Sequence, residues 1–300
     1  MAAPLTFDRR TSAGTAQRLL ASKSARDTAL RALAYVAFSL VGLVLLLPFF
    51  WMVSTSLKES GTEFAYPPQW IPVPAHPENY AQALTLLPFA RFLLNTLIIT
   101  VVNMIGGMLT ASMAGYGFAR LRFPFRSQLF VVCLATMMLP SIVTLIPQFI
   151  IFKSLGWINT FLPLTVPSFF GGGAFFIFLT RQFFMSLPFE LEEAARIDGA
   201  SSWRIFFQLM LPLSGPVLAA MAIFSFQSHW NEFLLPLIYL NDREKYTMAI
   251  GLNSMKGLYQ TNWNLLMAAA TATTIPMIVL FFAAQRHFMK GIVTTGLAGR

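Results

Sequence analysis

The chain has 300 residues, 56% of them hydrophobic and only 11% charged, with a mean hydropathy of +0.63, which is more apolar surface than one water-soluble core can hide. A bilayer is therefore the expected solvent, and the lone Cys133 excludes both a disulfide framework and a Cys-based metal site. The net charge of +9 is scattered over several short segments, which favours membrane orientation as its cause and excludes a concentrated nucleic-acid-binding stripe.

In chain order, residues 1–32 form a basic cytoplasmic lead, read as either an interfacial helix or a disordered tail. Leu33 to Val53 is the first charge-free run long enough to cross about 30 Å of hydrocarbon, and it reads as an uncleaved anchor because no small-residue cleavage site follows. An external loop follows within segment 33–90, where Pro67, Pro68, Pro72, Pro74, Pro77 and Pro88 exclude a long regular helix. Further spans are expected at Phe92–Met113, Leu129–Phe152, Leu162–Thr180 and Leu265–Ala284, with a sixth at about Leu213–Leu240 interrupted by His229 and Glu232. Residues 91–288 thus form the transmembrane domain and 289–300 a cytoplasmic tail. Within it Gly106, Gly107, Ala111 and Gly115 permit close helix contact, while Pro140, Pro147, Pro163 and Pro167 bend their helices. Fifteen of the 21 basic residues fall on the side that holds both termini, so both termini are expected in the cytoplasm.

The loop 186–212, on that same side, reads as two short helices and a turn. Pro188 suits a first helical turn, Glu190, Glu192 and Glu193 suit its positive end, and Gly199 after Asp198 is a left-handed terminator. Ser201 or Ser202 caps the second helix, whose Trp203, Phe206, Phe207 and Met210 form an apolar stripe that Pro212 ends. Such an amphipathic hairpin can dock in a partner's groove, Ala194 and Ala195 allowing close approach, or lie on lipid.

Glu193-Ala194-Ala195-x-x-Asp198-Gly199-Ala200, with Phe206, Leu209, Leu211 and Pro212 after it, resembles the coupling-loop signature of permease subunits of bacterial ATP-binding-cassette importers. From about Arg91 onward the chain also looks like the second permease of the carbohydrate kind, the maltose and glycerol-phosphate type, supported by Trp230-Asn231-Glu232-Phe233, Pro276 and Gln285-Arg286-x-Phe288 with Gly291. The resemblance implies an all-α integral membrane protein of six transmembrane helices with the type I importer permease fold. It also implies a second permease subunit, two copies of a cytoplasmic ATP-binding subunit and an extracytoplasmic solute-binding protein, in the inner membrane of a bacterium. ATP and Mg would be bound by the ATPase and no cofactor by this chain, and the segment Asn241–Trp263 would reach toward the solute.

No Gly-x-x-x-x-Gly-Lys-Ser/Thr loop occurs, and His76, His229 and His287 are too widely spaced for a local metal motif, so no enzyme site is expected. His229, Trp230, Asn231 and Glu232 are candidates for the substrate pathway. Trp230 offers a face on which a sugar stacks, and Asn231 and Glu232 offer hydrogen bonds; the alternative is that His229 and Glu232, read as sharing one helical face, satisfy each other. A proton-coupled secondary transporter using Glu232 and His229 is the second functional reading, against which stands the absence of inverted repeats; a membrane scaffold or receptor leaves the loop signature unexplained.

Overall fold

The computed structural model describes the backbone of residues 10–257 and 261–297, and the side chains of residues 28–257, 261–283 and 285. Two compact units are present, Met1–Ser54 and Thr55–Arg300, and all regular structure among the described residues is helical. The first unit is almost wholly helix α1 (Arg10–Ser56), so the lead is helical from Arg10 onward; residues 1–9 lie outside the described residues. From Leu33 to Phe50 its large apolar side chains stand exposed, as they would toward lipid.

In the second unit the proline-rich loop ends in an unforeseen short helix, α2 (Glu78–Leu86), whose Ala83 packs on Leu265, Ala268 and Ala269 of α14 (Trp263–Leu297). Asn79 anchors it by donating to the carbonyls of Ser56 (2.9 Å) and Lys58 (2.8 Å). The central element is α3 (Phe89–Arg120), along which α7 (Ala174–Ser186) and α11 (Gly215–Trp230) lie. Lipid gives no hydrophobic drive for that association, so close approach and polar contacts must supply it. The anticipated small-residue seam does so. Gly106 faces the ring of Phe169, Gly107 meets the backbone of Gly172, and Gly115 meets Thr180, whose hydroxyl also donates to the Ala111 carbonyl at 3.0 Å.

The spans are less regular than the sequence suggests. Among the described residues, four helical stretches are long and apolar enough to cross a membrane, Thr28–Ser56, Phe89–Arg120, Leu162–Ser186 and Trp263–Ala283. The expected span Leu129–Phe152 is broken: α4 (Arg126–Ala135), extended by a 3-10 turn to Met138, meets α5 (Ser141–Ser154) at 98°. Pro140 sits at that break because its ring disfavours helical backbone at Leu139, whose ψ is 120°, whereas Pro147 lies inside α5 without ending it. The expected span Leu213–Leu240 is also corrected. Helix α11 stops at Trp230, and α12 (Leu234–Tyr239) is separate; the bent apolar pair is instead Ser202–Leu213 with Gly215–Trp230, at 76°. Six crossings result only if each bent pair counts as one. The fourth span begins as α6 (Leu162–Thr165) and a 3-10 turn Val166–Phe169, and it re-forms as α7 after the turn Gly171-Gly172-Gly173.

One loop clip was not anticipated. Asn159, at φ 62°, accepts the N–H groups of Asn241 (3.1 Å) and Asp242 (3.0 Å) on Oδ1 and donates Nδ2 to the Asp242 carboxylate (2.7 Å); its carbonyl receives Lys245 Nζ at 2.9 Å. The Asn159 bond, with Lys245 beside it, holds the Asp242 carboxyl below its ordinary value of 3.8. A depressed carboxylate contributes stability that is present above its unfolded pKa and lost as pH falls through the folded one. The melting-temperature gap between the native chain and Asp242→Asn is therefore expected to be constant above about pH 5 and to close in more acid buffer. Asn159→Ala, losing these bonds and placing a Cβ-bearing residue without side-chain polarity in the left-handed region, should cost about 1–2 kcal/mol at neutral pH.

Candidate functional site

Two features at opposite ends of α3 combine chemistry with unusual construction. The first is the hairpin. Helix α8 (Glu190–Ile197) carries Glu190, Glu192 and Glu193 in its first turn, and it closes through Gly199 at φ 80°. The N–H of Ala200 bonds to the Ala195 carbonyl (2.9 Å) and that of Gly199 to Arg196 (3.0 Å), a Schellman motif that satisfies carbonyls the helix end leaves orphaned. The chain then reverses into α9 (Ser202–Ile205), capped by Ser201, whose hydroxyl accepts the Arg204 N–H at 3.3 Å. A π-turn, Phe206–Met210, follows α9, then α10 (Leu211–Leu213), so the helix runs one residue past Pro212 and breaks at Ser214.

The expected apolar stripe divides. Phe206 and Met210 are buried with Ile205 against Tyr116, Ala119 and Phe184, whereas Trp203 and Phe207 stack on each other at 6.1 Å and stay exposed. The extra residue per turn in the π-turn rotates the buried face away from strict 3.6-residue spacing. Beneath the hairpin, Arg120 at the end of α3 donates to the carbonyls of Phe184 (2.6 Å, Nη2) and Leu187 (2.5 Å) and lies over the Phe189 ring at 4.1 Å. Glu192 reaches into the same place. Its Oε1 takes Arg196 at 2.7 Å and the Tyr116 hydroxyl at 3.3 Å, and Oε2 lies 4.0 Å from Arg120 Nε. The hairpin is thus joined to the ends of α3 and α7 by a buried arginine and a buried carboxylate, while that carboxylate raises the pKa of Arg196 through its hydrogen bond. Glu193, Ala194, Asp198 and Gly199 face outward around Ile197, which is 86% exposed; Ala195, Ala200 and Leu211 are half-buried, and Pro212 is exposed.

The second feature is a cavity of about 270 Å³ near the other end of α3, lined by residues of α3, α5, α6, α11 and α12. His229 and Glu232 line it, but Trp230 and Asn231 do not. Trp230 is 5% exposed, stacked on Phe226 at 5.0 Å, with its indole N–H donated to the Thr273 carbonyl at 3.2 Å, so its faces serve α14 packing and not a stacking sugar. Asn231 ends α11 and donates to Gln227 at 2.9 Å. Because α11 stops at Trp230, His229 and Glu232 do not share a helical face, and each has its own backbone partners. His229 Nδ1 donates to the Ser225 carbonyl at 2.8 Å, and Glu232 Oε1 accepts the N–H groups of Leu234 (3.0 Å) and Leu235 (3.2 Å), capping α12. Sequence reading did not single out Tyr239 or Thr247, which also line it, Tyr239 at the end of α12 and Thr247 within the segment Asn241–Trp263. It also missed Glu192 as the buried carboxylate. The available signal was Glu192-x-x-x-Arg196 at helical spacing, which marks a pair without saying which way it faces.

Residues 106–294 match the family described as binding-protein-dependent transport system inner membrane component. The diacetylchitobiose uptake system permease protein NgcG of Streptomyces coelicolor is 32% identical over 285 residues, covering 93% of this chain and 92% of its own length. The sn-glycerol-3-phosphate transport system permease protein UgpE of Pectobacterium atrosepticum is 38% identical over 208 residues, covering 69% and 73%. Among solved structures, a bacterial ABC transporter involved in the import of the acidic polysaccharide alginate superposes with a TM-score of 0.74 at 22% identity, over 94% of this chain and 99% of that one, and so shares the fold. The chain belongs to the binding-protein-dependent transport system inner membrane component family, and it is a permease subunit of the ATP-binding-cassette kind rather than an enzyme.

Proposed function

We propose that this permease forms half of the pathway by which a sugar or related polyol enters a bacterial cell, driven by a separate ATPase that grips the hairpin. The observation that carries this reading is the two-sided construction of the hairpin. Its inner side is fixed to α3 and α7 through Arg120 and Glu192, and its outer side presents Glu193, Ala194, Ile197 and Gly199 uncovered. An exposed apolar residue at the crest, flanked by small and acidic ones, suits a groove on a partner. Two copies of a cytoplasmic ATP-binding subunit, holding ATP and Mg, would close and rock the hairpin as a rigid body, one copy acting on this chain and the other on a second permease. An extracytoplasmic solute-binding protein would deliver the solute to the opposite end. Both termini then lie in the cytoplasm, as the distribution of Lys and Arg supports.

The sugar class follows from the relatives, one named for diacetylchitobiose uptake and one for glycerol phosphate transport. Membership of an ATP-binding-cassette family, and the separate backbone partners of His229 and Glu232, leave the proton-relay alternative without a supporting observation. The test is purification of the tagged chain from its native membrane in mild detergent, with mass spectrometry of what remains bound. A second permease and a soluble ATP-binding subunit are expected, and a stable preparation lacking any ATPase sinks the proposal.

A further inference from the structure

Two arginines at the end of the bundle that carries the hairpin have no counter-charge among the described residues. Arg126 opens α4, and Arg181 lies in the last turns of α7, which ends at Ser186. Both are half-buried, and they are close enough for their like charges to repel. The guanidinium carbon of Arg181 stands 4.2 Å from the centroid of the Phe130 ring of α4, a seat that positions a cation without neutralising it. Arg126 donates Nη1 to the Leu121 carbonyl at 3.0 Å, which is again a neutral partner. Among the described residues neither takes part in an ion pair, whereas the nearby Arg120 and Arg196 both meet Glu192. The helix itself adds to the imbalance. It starts without a capping side chain, and an arginine in a first turn stands at the positive end of the helix dipole, where a cation is unfavourable. An anion bridging the two guanidinium groups would relieve both the repulsion and the conflict with the dipole.

The adjoining surface sets the kind of anion. Ser127 and Gln128 stand exposed beside Arg126 and offer further polar donors, and Phe123 and Phe125 are exposed just before it, as aromatic side chains at a membrane–water boundary commonly are. One turn further along α4 the outward residues are apolar: Leu129, Val131 and Val132 are all exposed. A polar, cationic seat is thus followed by an uncovered apolar strip that runs into the membrane. A phosphate joined to acyl chains matches both parts, its oxygens taking the guanidinium N–H groups and its chains lying along α4. A soluble phosphate, or a carboxylate from another protein chain, would use only the first part. A zwitterionic lipid brings its own ammonium group, for which two unneutralised arginines offer only repulsion.

We propose that Arg126 and Arg181 hold the phosphate of one anionic phospholipid, such as phosphatidylglycerol, on the membrane face from which the hairpin projects. The proposal uses only the membrane-spanning character of the chain, so it stands or falls apart from the importer reading.

The test titrates dioleoylphosphatidylglycerol or dioleoylphosphatidylcholine into the delipidated complex of the full chain with its native partners, the bound lipids being counted by native mass spectrometry. At least one phosphatidylglycerol per copy of this chain is expected to bind about tenfold or more tightly than phosphatidylcholine. Arg126→Gln and Arg181→Gln should each weaken that lipid about fivefold, and the double variant should lose it while the remaining lipid adducts are unchanged. Arg181→Lys, which keeps the charge but not the planar fork, should lose less than Arg181→Gln. A second readout is the rise in melting temperature on moving from phosphatidylcholine to phosphatidylglycerol nanodiscs. That rise should be smaller in both Gln variants than in the native chain, and because each protein is compared with itself, any packing lost through the substitution cancels. Equal affinity for the two lipids, unchanged phosphatidylglycerol binding in the double variant, or displacement of the lipid by millimolar inorganic phosphate overturns the proposal. Release of a partner subunit from the double variant with lipid binding unmoved also overturns it, and assigns the arginines to a carboxylate of that partner.

Discussion

Gly199→Val is expected to reduce solute uptake by about tenfold or more while the protein still reaches the membrane and folds. The cause is conformational. A Cβ added at this position would meet nothing within 4 Å, so no clash arises, but the residue sits at φ 80°, where an L side chain is strained by about 1–2 kcal/mol and a β-branched one by more. The chain relieves that strain by abandoning the Schellman turn, which frees the Ala195 and Arg196 carbonyls and tilts α8 relative to α9. Gly199→Asn, which tolerates the left-handed region, should keep uptake within about threefold of the native level. Vesicle uptake of the cognate solute, with membrane protein amount measured alongside, decides the matter. Equal activity in the Val and native chains would show that the turn geometry is not what the ATPase engages.

A second large effect is expected at Gly115, from contact rather than conformation. A Cβ there would lie 2.1 Å from Thr180 Oγ1 and 2.9 Å from the backbone nitrogen of Arg181. The hydroxyl can be removed, but the backbone cannot move without parting α3 from α7. Gly115→Val should therefore destabilise the bundle by about 3 kcal/mol or more, seen as loss of the monodisperse peak in detergent chromatography. Thr180→Ala in the same chain should rescue it only in part. Gly117 on the same helix has open space around it, so Gly117→Ala should be neutral or stabilising by up to about 1 kcal/mol. Similar behaviour of the two glycines would remove close approach as the basis of this helix pair.

The hairpin was legible because its signals are local. Gly199 supplies its own backbone conformation, Ser201 its own cap, and the three glutamates their own preference for a helix start, none of which needs a distant partner. The division of Trp203 and Phe207 from Phe206 and Met210 was not, because the π-turn becomes favourable only once Ile205 and Met210 are packed against Tyr116 and Phe184. Charge-free runs marked the apolar segments well and Pro140 marked a bend inside one of them, but neither signal carries an angle, so the 98° turn there and the 76° turn at Ser214 were not legible. The burial of Glu192 in place of Glu193 required Arg120, which lies 72 positions earlier and reaches it only through the packing of α3 on α7. Asn159 was overlooked for the same reason, since its partners at 241–245 are brought to it by the fold.

Helix α3 has a mechanical consequence. Thr96, in the cavity wall, and Arg120, under the hairpin, are 24 residues apart on one unbroken helix, a separation of about 36 Å. Such a strut works as a lever. Pivoted at the hairpin end, a tilt of about 10° sweeps its far end through about 6 Å, twice the diameter of a water molecule, with no bond within the helix needing to stretch. A small rotation where the arginine is seated would thereby be magnified severalfold at the end of the helix that lines the cavity.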